Sequence, residues 1–191
     1  MLQTIMELHT PRLLLRQWRD SDLAPFAALH ADPRVMACFP ATLSREASDA
    51  LAQRCRDLIA ARGWGLWAVT LRDNGACIGM TGLHVPDAQL PCSPCVEIGW
   101  RLAFDYWGKG YAQEAAQAVL RDGFTRLQLP EIVAFTALPN VRSRALMARL
   151  GMRREHATFE HPALPPGHRL RTHCLYRLTR AEWCAREEIT P

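Results

Sequence analysis

Two glycines in one short segment are the residues of this sequence whose type and spacing most clearly suggest chemistry. They lie where a predicted strand gives way to a predicted helix, in the segment Trp107, Gly108, Lys109, Gly110, Tyr111 and Ala112. Glycine adopts backbone conformations that other residues avoid, so the chain can turn tightly here and approach a ligand closely. The N–H groups of a helix's first turn have no partner within the helix, and with the helix dipole they attract an anion such as phosphate. The segment therefore predicts a phosphate-binding loop, unless the glycines only connect the strand to the helix.

A second pair of polar residues, Asn140 and Ser143, stands at the next predicted strand-to-helix junction. Asn140 is well suited to cap the helix, since its side chain can accept a hydrogen bond from a first-turn N–H group. The carboxyl end of a strand is also where α/β proteins bind their ligands. The spacing alone leaves both interpretations open.

Cysteine and histidine residues form a weaker set of candidates. Cys92 and Cys95 make one Cys-x-x-Cys pair, but no second pair follows at the spacing that a zinc module requires. The segment His156–His168 and His173 supply four histidines whose spacing is unlike that of the usual zinc modules. We therefore predict no metal site and interpret the two thiols as part of a turn.

The elements that must position these residues follow from the hydrophobic periodicity. Strands are predicted near 12–18, 65–71, 76–84, 96–102, 131–137 and 173–178, with a tight hairpin turn at Asn74 and Gly75. Helices are predicted after Asp20, over 44–61, 110–127 and 141–150, and from Thr179 onward. The segment 156–168 is predicted to be a loop.

This order of elements predicts an α/β (α+β) fold with a mixed, mostly antiparallel sheet and helices on both faces. The strand at 96–102, the helix at 110–127 and the strand at 131–137 should form a right-handed parallel crossover. The chain has 191 residues and no Gly/Ser-rich linker. We therefore predict a single domain over residues 1–191.

Composition and charge exclude several other classes of protein. The formal net charge is +4, and the basic residues are dispersed among acidic ones, which disfavours nucleic acid as a partner. Lys109 is the only lysine among the 23 basic residues. The sequence has no apolar stretch long enough to span a membrane and no secretory signal, and its seven cysteines form no framework. We expect a cytoplasmic protein without a membrane partner.

Taken together, the motifs resemble the GNAT superfamily of acyl-CoA-dependent N-acetyltransferases, and most closely the branch of the ribosomal-protein N-terminal acetyltransferases. The resemblance extends over about 10–178 and is carried by four segments, namely Thr10–Arg16, Val96–Leu102, Tyr106–Ala115 and Asn140–Met152. It implies the GNAT fold, with acetyl-CoA as the cosubstrate and an amine as the acceptor.

The resemblance also implies roles for individual residues. It places the pyrophosphate of CoA on the backbone of residues 107–112, although Trp107 stands where the family usually has a polar residue. It implies that the backbone of Trp100, Arg101 and Leu102 meets the pantetheine arm. It places Asn140 on pantetheine and Ser143 near the thioester sulfur.

The implied reaction is direct attack of a neutral amine on the acetyl carbonyl, with departure of a thiolate. Ser143 is our candidate for hydrogen bonding to the leaving sulfur. Glu97 is our candidate base, acting directly or through a water, although it stands one residue out of register with the glutamate that some family members use. The alternative is that Glu97 is a solvated or salt-bridged strand residue.

Two further points are left open by the sequence. The scaffold could instead belong to an acyl-CoA-binding sensor or partner-binding module with little catalysis, and the register of Glu97 keeps that alternative alive. The acceptor could be a protein N-terminal α-amine or a small-molecule amine, since its specificity belongs to the less patterned regions 39–61 and 156–168. We expect the histidine-containing loop to pack over the end of the sheet and to contribute to the acceptor pocket. The sequence does not decide whether a homodimer forms.

Overall fold

The computed structural model describes residues 5–187, which form eight strands and five α-helices. The strands are β1 (Leu8–His9), β2 (Leu13–Arg16), β3 (Leu66–Leu71), β4 (Cys77–His84), β5 (Glu97–Leu102), β6 (Glu131–Ala137), β7 (Arg153–Glu160) and β8 (Thr172–Thr179). The helices are α1 (Leu23–Ala31), α2 (Arg45–Arg62), α3 (Tyr111–Thr125), α4 (Val141–Arg149) and α5 (Arg180–Glu187). Short 3-10 turns cover Asp20–Asp22 and Phe104–Tyr106.

The strands belong to one mixed sheet, with the hydrogen-bonded order β1-β2-β3-β4-β5-β6-β8-β7. β5 and β6 are parallel, with Glu97 opposite Val133, whereas β1/β2, β2/β3, β3/β4, β6/β8 and β7/β8 are antiparallel. The predicted mixed α/β sheet and its parallel β5-α3-β6 unit are thus confirmed. None of the helices within residues 5–187 is both long and apolar enough to cross a membrane.

The described chain packs as two compact units, each with its own buried side chains. The first contains the described residues up to Leu83 together with Gly99–Val119. Its largest fully buried side chains are Leu13, Leu15, Phe26, Ile59, Trp67, Ile78 and Leu83. The second contains His84–Ile98 and the described residues from Leu120 onward. Its largest fully buried side chains are Ile98, Phe124, Ile132, Leu170 and Leu178.

The helix boundaries follow the capping residues of the sequence. The Ser44 side chain accepts a hydrogen bond from the Ala47 N–H group at the start of α2, as an N-cap residue does. Asn140 does the same for Ser143 at the start of α4. In the β3–β4 hairpin, the Leu71 N–H group donates to the Ala76 carbonyl across the turn that contains Asn74 and Gly75. These three junctions lie where the sequence predicts them.

One prediction about the strands is wrong, and one strand was not predicted. The segment 156–168 is not all loop, because β7 continues to Glu160 and pairs with β8. Most residues of β7 are exposed, so the segment lacks the alternation of buried and exposed positions by which a strand is recognised. The first predicted strand corresponds to β2, and the structure adds the short strand β1 before it, which was not predicted from the sequence; Pro11 between them has no N–H group to continue a ladder.

Candidate functional site

The segment 107–112 forms a tight turn that leads directly into α3. Gly108 and Gly110 have φ values of +73° and +82°, in the left-handed region that favours glycine. The Gly110 carbonyl accepts the Glu114 N–H group at 3.0 Å, which makes Gly110 the residue that precedes the first turn of α3. A glycine has no side chain with which to cap that turn. The first-turn N–H groups are therefore not capped by Gly110, as a phosphate site requires.

Arg12 joins this turn to β2 and to the first turn of α3. Its Nη1 donates to the Lys109 carbonyl at 2.9 Å, and its Nε donates to Glu114 Oε2 at 2.6 Å. The Arg12 guanidinium also lies over the Tyr111 ring, 4.4 Å from the centroid. Sequence reasoning gave Arg12 no role, because nothing in local spacing links residues so far apart in the chain.

Glu114 is turned toward Arg12 and Thr10. Its Oε1 accepts from the Thr10 hydroxyl at 2.6 Å and from the Arg12 N–H group at 2.8 Å. Burial alone would raise the pKa of Glu114, but these hydrogen bonds and the Arg12 charge outweigh it and hold the pKa below its usual value. The carboxylate of this first-turn residue is thus already neutralised.

The loop is open at Gly108, where an added Cβ atom would meet no atom within 4 Å. The fit is tighter at Gly110, where an added Cβ atom would lie 3.2 Å from Arg12 Nη2. Lys109 is exposed, with its Nζ 5.6 Å from the centroid of the Tyr106 ring. The Trp107 indole donates to the Leu102 carbonyl at 2.8 Å, so this side chain is engaged in holding the loop. A backbone site for the pyrophosphate of CoA fits these residues.

The end of β5 in the first unit packs closely against β4. A Cβ atom at Gly79 would lie 2.1 Å from the Arg101 carbonyl, so only glycine permits this approach. Leu102 is buried, whereas Trp100 and Arg101 are half-buried. The Leu102 carbonyl is already occupied by the Trp107 indole, which leaves the pantetheine contact implied for Trp100, Arg101 and Leu102 a prediction.

Glu97, the candidate base, lies in the second unit and is 8% exposed. Its Oε2 lies 2.8 Å from Nε2 of His84, the last residue of β4. Burial raises the pKa of Glu97, and the hydrogen bond and charge of His84 offset part of this rise. Burial alone would lower the pKa of His84, but the hydrogen bond and charge of Glu97 raise it above its usual value. The two groups therefore form a coupled pair, as the salt-bridge alternative anticipated, and sequence reasoning had missed His84.

Asn140 acts as the N-cap of α4, one of its two predicted roles. Its Oδ1 accepts the Ser143 N–H group at 3.2 Å, and its Nδ2 donates to the Thr136 hydroxyl at 2.9 Å. Both ends of this amide are thus engaged, which fixes the start of α4 relative to β6. Ser143 is half-buried in the first turn of that helix. Contacts of either residue with pantetheine or the thioester stay predictions.

Histidine and cysteine side chains form no metal-binding group of three or more within residues 5–187. The rings of His161 and His173 lie 4.8 Å apart and next to Phe135 and Phe159. Burial lowers the pKa of both histidines, and for His161 the charge of His173 lowers it further. All seven cysteines are free thiols, including Cys92 and Cys95, whose Sγ atoms lie 3.3 Å apart.

Comparison with known proteins agrees with this geometry. Residues 12–153 match the family model described as an acetyltransferase (GNAT) domain. The chain is 31% identical over 179 residues to the uncharacterized N-acetyltransferase YnaD of Bacillus subtilis, covering 93% of this chain and 99% of that protein. It also resembles the crystal structure of a GNAT-family acetyltransferase from Bacillus anthracis, with a TM-score of 0.77 and 26% identity over 93% of this chain and 100% of that one.

A third similarity concerns the fold alone. The RimL ribosomal L7/L12 α-N-protein acetyltransferase, solved in complex with coenzyme A, has a TM-score of 0.72 and 17% sequence identity. The match covers 91% of this chain and 98% of that one.

Proposed function

The chain belongs to the GNAT acetyltransferase family, whose cosubstrate is acetyl-CoA, and we propose that it transfers the acetyl group to a primary amine. The proposed acceptor is either a protein N-terminal α-amine or the amine of a small molecule. The observation that carries the proposal is the start of α3 directly behind two left-handed glycines, the second of which has no side chain with which to cap the helix. The backbone of residues 107–112 would donate N–H groups to the pyrophosphate of CoA there, since the first-turn carboxylate of Glu114 is held by Thr10 and Arg12.

The proposed step is direct acyl transfer without a covalent enzyme intermediate. The amine nitrogen attacks the acetyl carbon, the carbonyl oxygen becomes an oxyanion, and the carbon–sulfur bond breaks to release CoA as a thiolate. Ser143 donates a hydrogen bond to the departing sulfur. A thiol with a pKa of about 8.5 is a good leaving group, so a hydroxyl suffices for this role.

Glu97 takes the amine proton, directly or through a water, once His84 has given up its own. While His84 is protonated, its positive charge holds the Glu97 carboxylate in an ion pair, and the carboxylate is a weaker base. A free α-amine, with a pKa of about 7.8, is about 3.5 kcal/mol easier to deprotonate than a lysine amine with a pKa of about 10.4. Because the Glu97 carboxylate is a weak base, the proposed reaction favours α-amines over lysine amines.

Asn140 contacts the pantetheine arm, and the backbone of Trp100, Arg101 and Leu102 offers it further polar groups. These assignments are supported by the match of the motifs to the family and by the fixed position of Asn140 at the start of α4. We also propose that residues 1–191 are a single domain and that the protein is cytoplasmic, where its seven free thiols would stay reduced.

A binding assay followed by a turnover assay tests the proposal. Calorimetric titration of the purified chain with acetyl-CoA should show a single site, and a broad panel of amines should then release the CoA thiol. If acetyl-CoA does not bind, the proposal is overturned. If acetyl-CoA binds tightly and no amine releases thiol, the chain is instead an acyl-CoA-binding sensor or partner-binding module.

Ser143→Ala separates the two steps within the same assay. We expect slower turnover with the affinity for CoA largely retained, because the hydroxyl acts on the leaving sulfur rather than on the pyrophosphate. Unchanged turnover in this variant would remove Ser143 from the reaction.

A further inference from the structure

Arg101 carries a positive charge for which the described chain supplies no counter-ion. Among residues 5–187, no carboxylate pairs with its guanidinium, and the one favourable electrostatic partner is the Cys55 thiol. Its Nη1 lies 2.6 Å from Nε2 of His30, and its guanidinium lies over the Phe39 ring, 3.9 Å from the centroid. Arginine is seldom buried without an acidic partner, because the charge is costly to desolvate.

The neighbours of Arg101 do not neutralise it. His30 receives the hydrogen bond from Arg101 on Nε2, so its Nδ1 carries the proton and donates it to the Ser48 hydroxyl at 2.8 Å. Burial, and then the Arg101 charge, lower the pKa of His30 to about 4, so that this ring is neutral at pH 7. Burial raises the pKa of the neighbouring Cys55 to about 11, which keeps its thiol neutral as well.

One edge of the guanidinium is left without a hydrogen bond. Arg101 Nε is buried and has no partner among the described residues, and Nη1 is engaged by His30. Nε and Nη2 lie along the same edge of the planar group, where two parallel N–H bonds match the two oxygens of a carboxylate. Nε itself is covered by the fold, whereas Nη2 has no hydrogen bond among the described residues and the side chain is half-buried, so Nη2 is the end of this edge that is open to a ligand.

The position of Arg101 in the chain connects this edge with the acceptor. Its backbone belongs to the part of β5 that we assign to the pantetheine arm, while the phosphates of CoA are assigned to residues 107–112. Phe39, which stacks on the guanidinium, belongs to the region 39–61 in which the sequence places acceptor specificity. A negative group at Arg101 therefore belongs to the acceptor rather than to CoA.

We propose that Arg101 binds a carboxylate of the amine acceptor through its Nη2 group, so that the preferred substrates are amines that also carry an acid group. This inference rests on the proposed acetyl transfer. The acid group is the α-carboxylate of a free amino acid or the side chain of an Asp or Glu residue at a peptide N-terminus.

Paired acceptors that differ in the acid group test the proposal, with each rate referred to the concentration of the neutral amine. Free amino acids are compared with their amides, and peptides that begin with Asp are compared with peptides that begin with Asn, by the kcat/KM of thiol release. Phosphoethanolamine and ethanolamine form a third pair, which distinguishes a carboxylate site from a general anion site. We expect at least one carboxylate to be preferred over its amide by about tenfold or more, as a hydrogen-bonded charge pair provides.

The decisive variant is Arg101→Gln, with Arg45→Gln as the matched control. Arg45 pairs with Asp49 on the exposed surface of α2, so its loss should leave the acid-to-amide ratio unchanged. Arg101→Gln should bring the ratio close to one, and Arg101→Lys, which keeps the charge without the planar edge, should give an intermediate value. Calorimetry with CoA and the melting temperature report whether each variant is folded.

The possible results separate this inference from the proposed function. Transfer to amines with no preference for acids in the wild-type protein would overturn it, as would an acid preference that survives Arg101→Gln or a preference for the phosphate pair alone. If Arg101→Gln does not fold, acetate is added to the wild-type assay as a competing carboxylate. It should raise the KM of the acid acceptor but not the KM of its amide, and equal increases in both would count against the proposal. Failure of every amine to release thiol would instead overturn the proposed transfer itself.

Discussion

The starts of α3 and α4 both follow a strand, but the two helices treat their first-turn N–H groups in opposite ways. α4 begins at Asn140, whose side chain accepts the Ser143 N–H group and is itself held by Thr136. α3 begins after Gly110, which has no side chain, and its nearest acid, Glu114, is held by Thr10 and Arg12. A capped start fixes the side chains of its helix, whereas an uncapped one offers its backbone to a ligand.

This difference assigns binding to one helix start and the positioning of a reacting group to the other. Changes around Gly110 should therefore act mainly on the affinity for CoA, and changes around Asn140 should act mainly on turnover. Four variants test the contrast, beginning with the one that we expect to have the largest effect.

Gly110→Asp should weaken CoA binding most. It places a negative charge where the pyrophosphate would lie, and at a separation of about 4 Å such a repulsion amounts to a few kcal/mol, or on the order of 100-fold or more in Kd. Gly110→Asn is the matched control, because it has the same shape, tolerates a positive φ equally well and lacks the charge. Calorimetry should show a smaller loss for Asn. Equal affinities in the two variants would show that no anion binds at this turn.

Arg12→Ala should weaken CoA binding by about tenfold, because the turn loses the hydrogen bond that holds the Lys109 carbonyl. The effect on the free energy of unfolding should be smaller, since the Arg12 side chain is 46% exposed. A double-mutant cycle with Glu114→Gln, followed by calorimetry, should show that the two losses are not additive. Additive losses would mean that Arg12 and Glu114 act separately.

Asn140→Ala should lower the free energy of unfolding by about 1 kcal/mol, as loss of an N-cap does. It should also slow turnover by several-fold, because the first turn of α4 carries Ser143. The Kd for CoA should rise far less than in Gly110→Asp, because only the proposed pantetheine contact of Asn140 is lost. Asn140→Asp retains a capping oxygen and should restore most of the stability. A loss of CoA affinity in Asn140→Ala as large as that in Gly110→Asp, with normal turnover of the bound complex, would contradict the assignment.

The smallest expected effect is a change in a pH profile. Despite burial, the hydrogen bond and charge of Glu97, with the charge of Asp87, raise the pKa of His84, so His84 stays protonated to a higher pH than an ordinary histidine and then holds Glu97 in the ion pair. The kcat/KM should therefore rise as the pH rises through that pKa, and His84→Gln should remove this inflection.

The acceptor amine also titrates, so the profile is measured with two amines of different pKa. The inflection caused by His84 should occur at the same pH with both amines, whereas the inflection caused by the amine should shift with the pKa of that amine. An inflection that persists in His84→Gln would exclude the pair as its source.

Local signals in the sequence predict the elements well and the contacts between distant residues poorly. Ser44 and Asn140 locate their helices because an N-cap acts only on its own first turn. The glycines at 108 and 110 mark their turn for the same reason. Arg12 and His84 could not be assigned in this way, because their partners Glu114 and Glu97 lie on other elements and only the register of the folded strands brings them together. β7 was missed because few of its side chains are buried.

The exposed side chain of Lys109 makes the turn before α3 accessible to chemical labelling. Lys109 is the only lysine of the chain, so an acylating reagent can modify only its side-chain amine and the backbone α-amine of the first residue. A reagent that reacts with amines thus reports on this turn by a single change in mass, without any substitution. The same scarcity means that the protein offers almost no amine of its own to compete with its acceptor for acetyl groups.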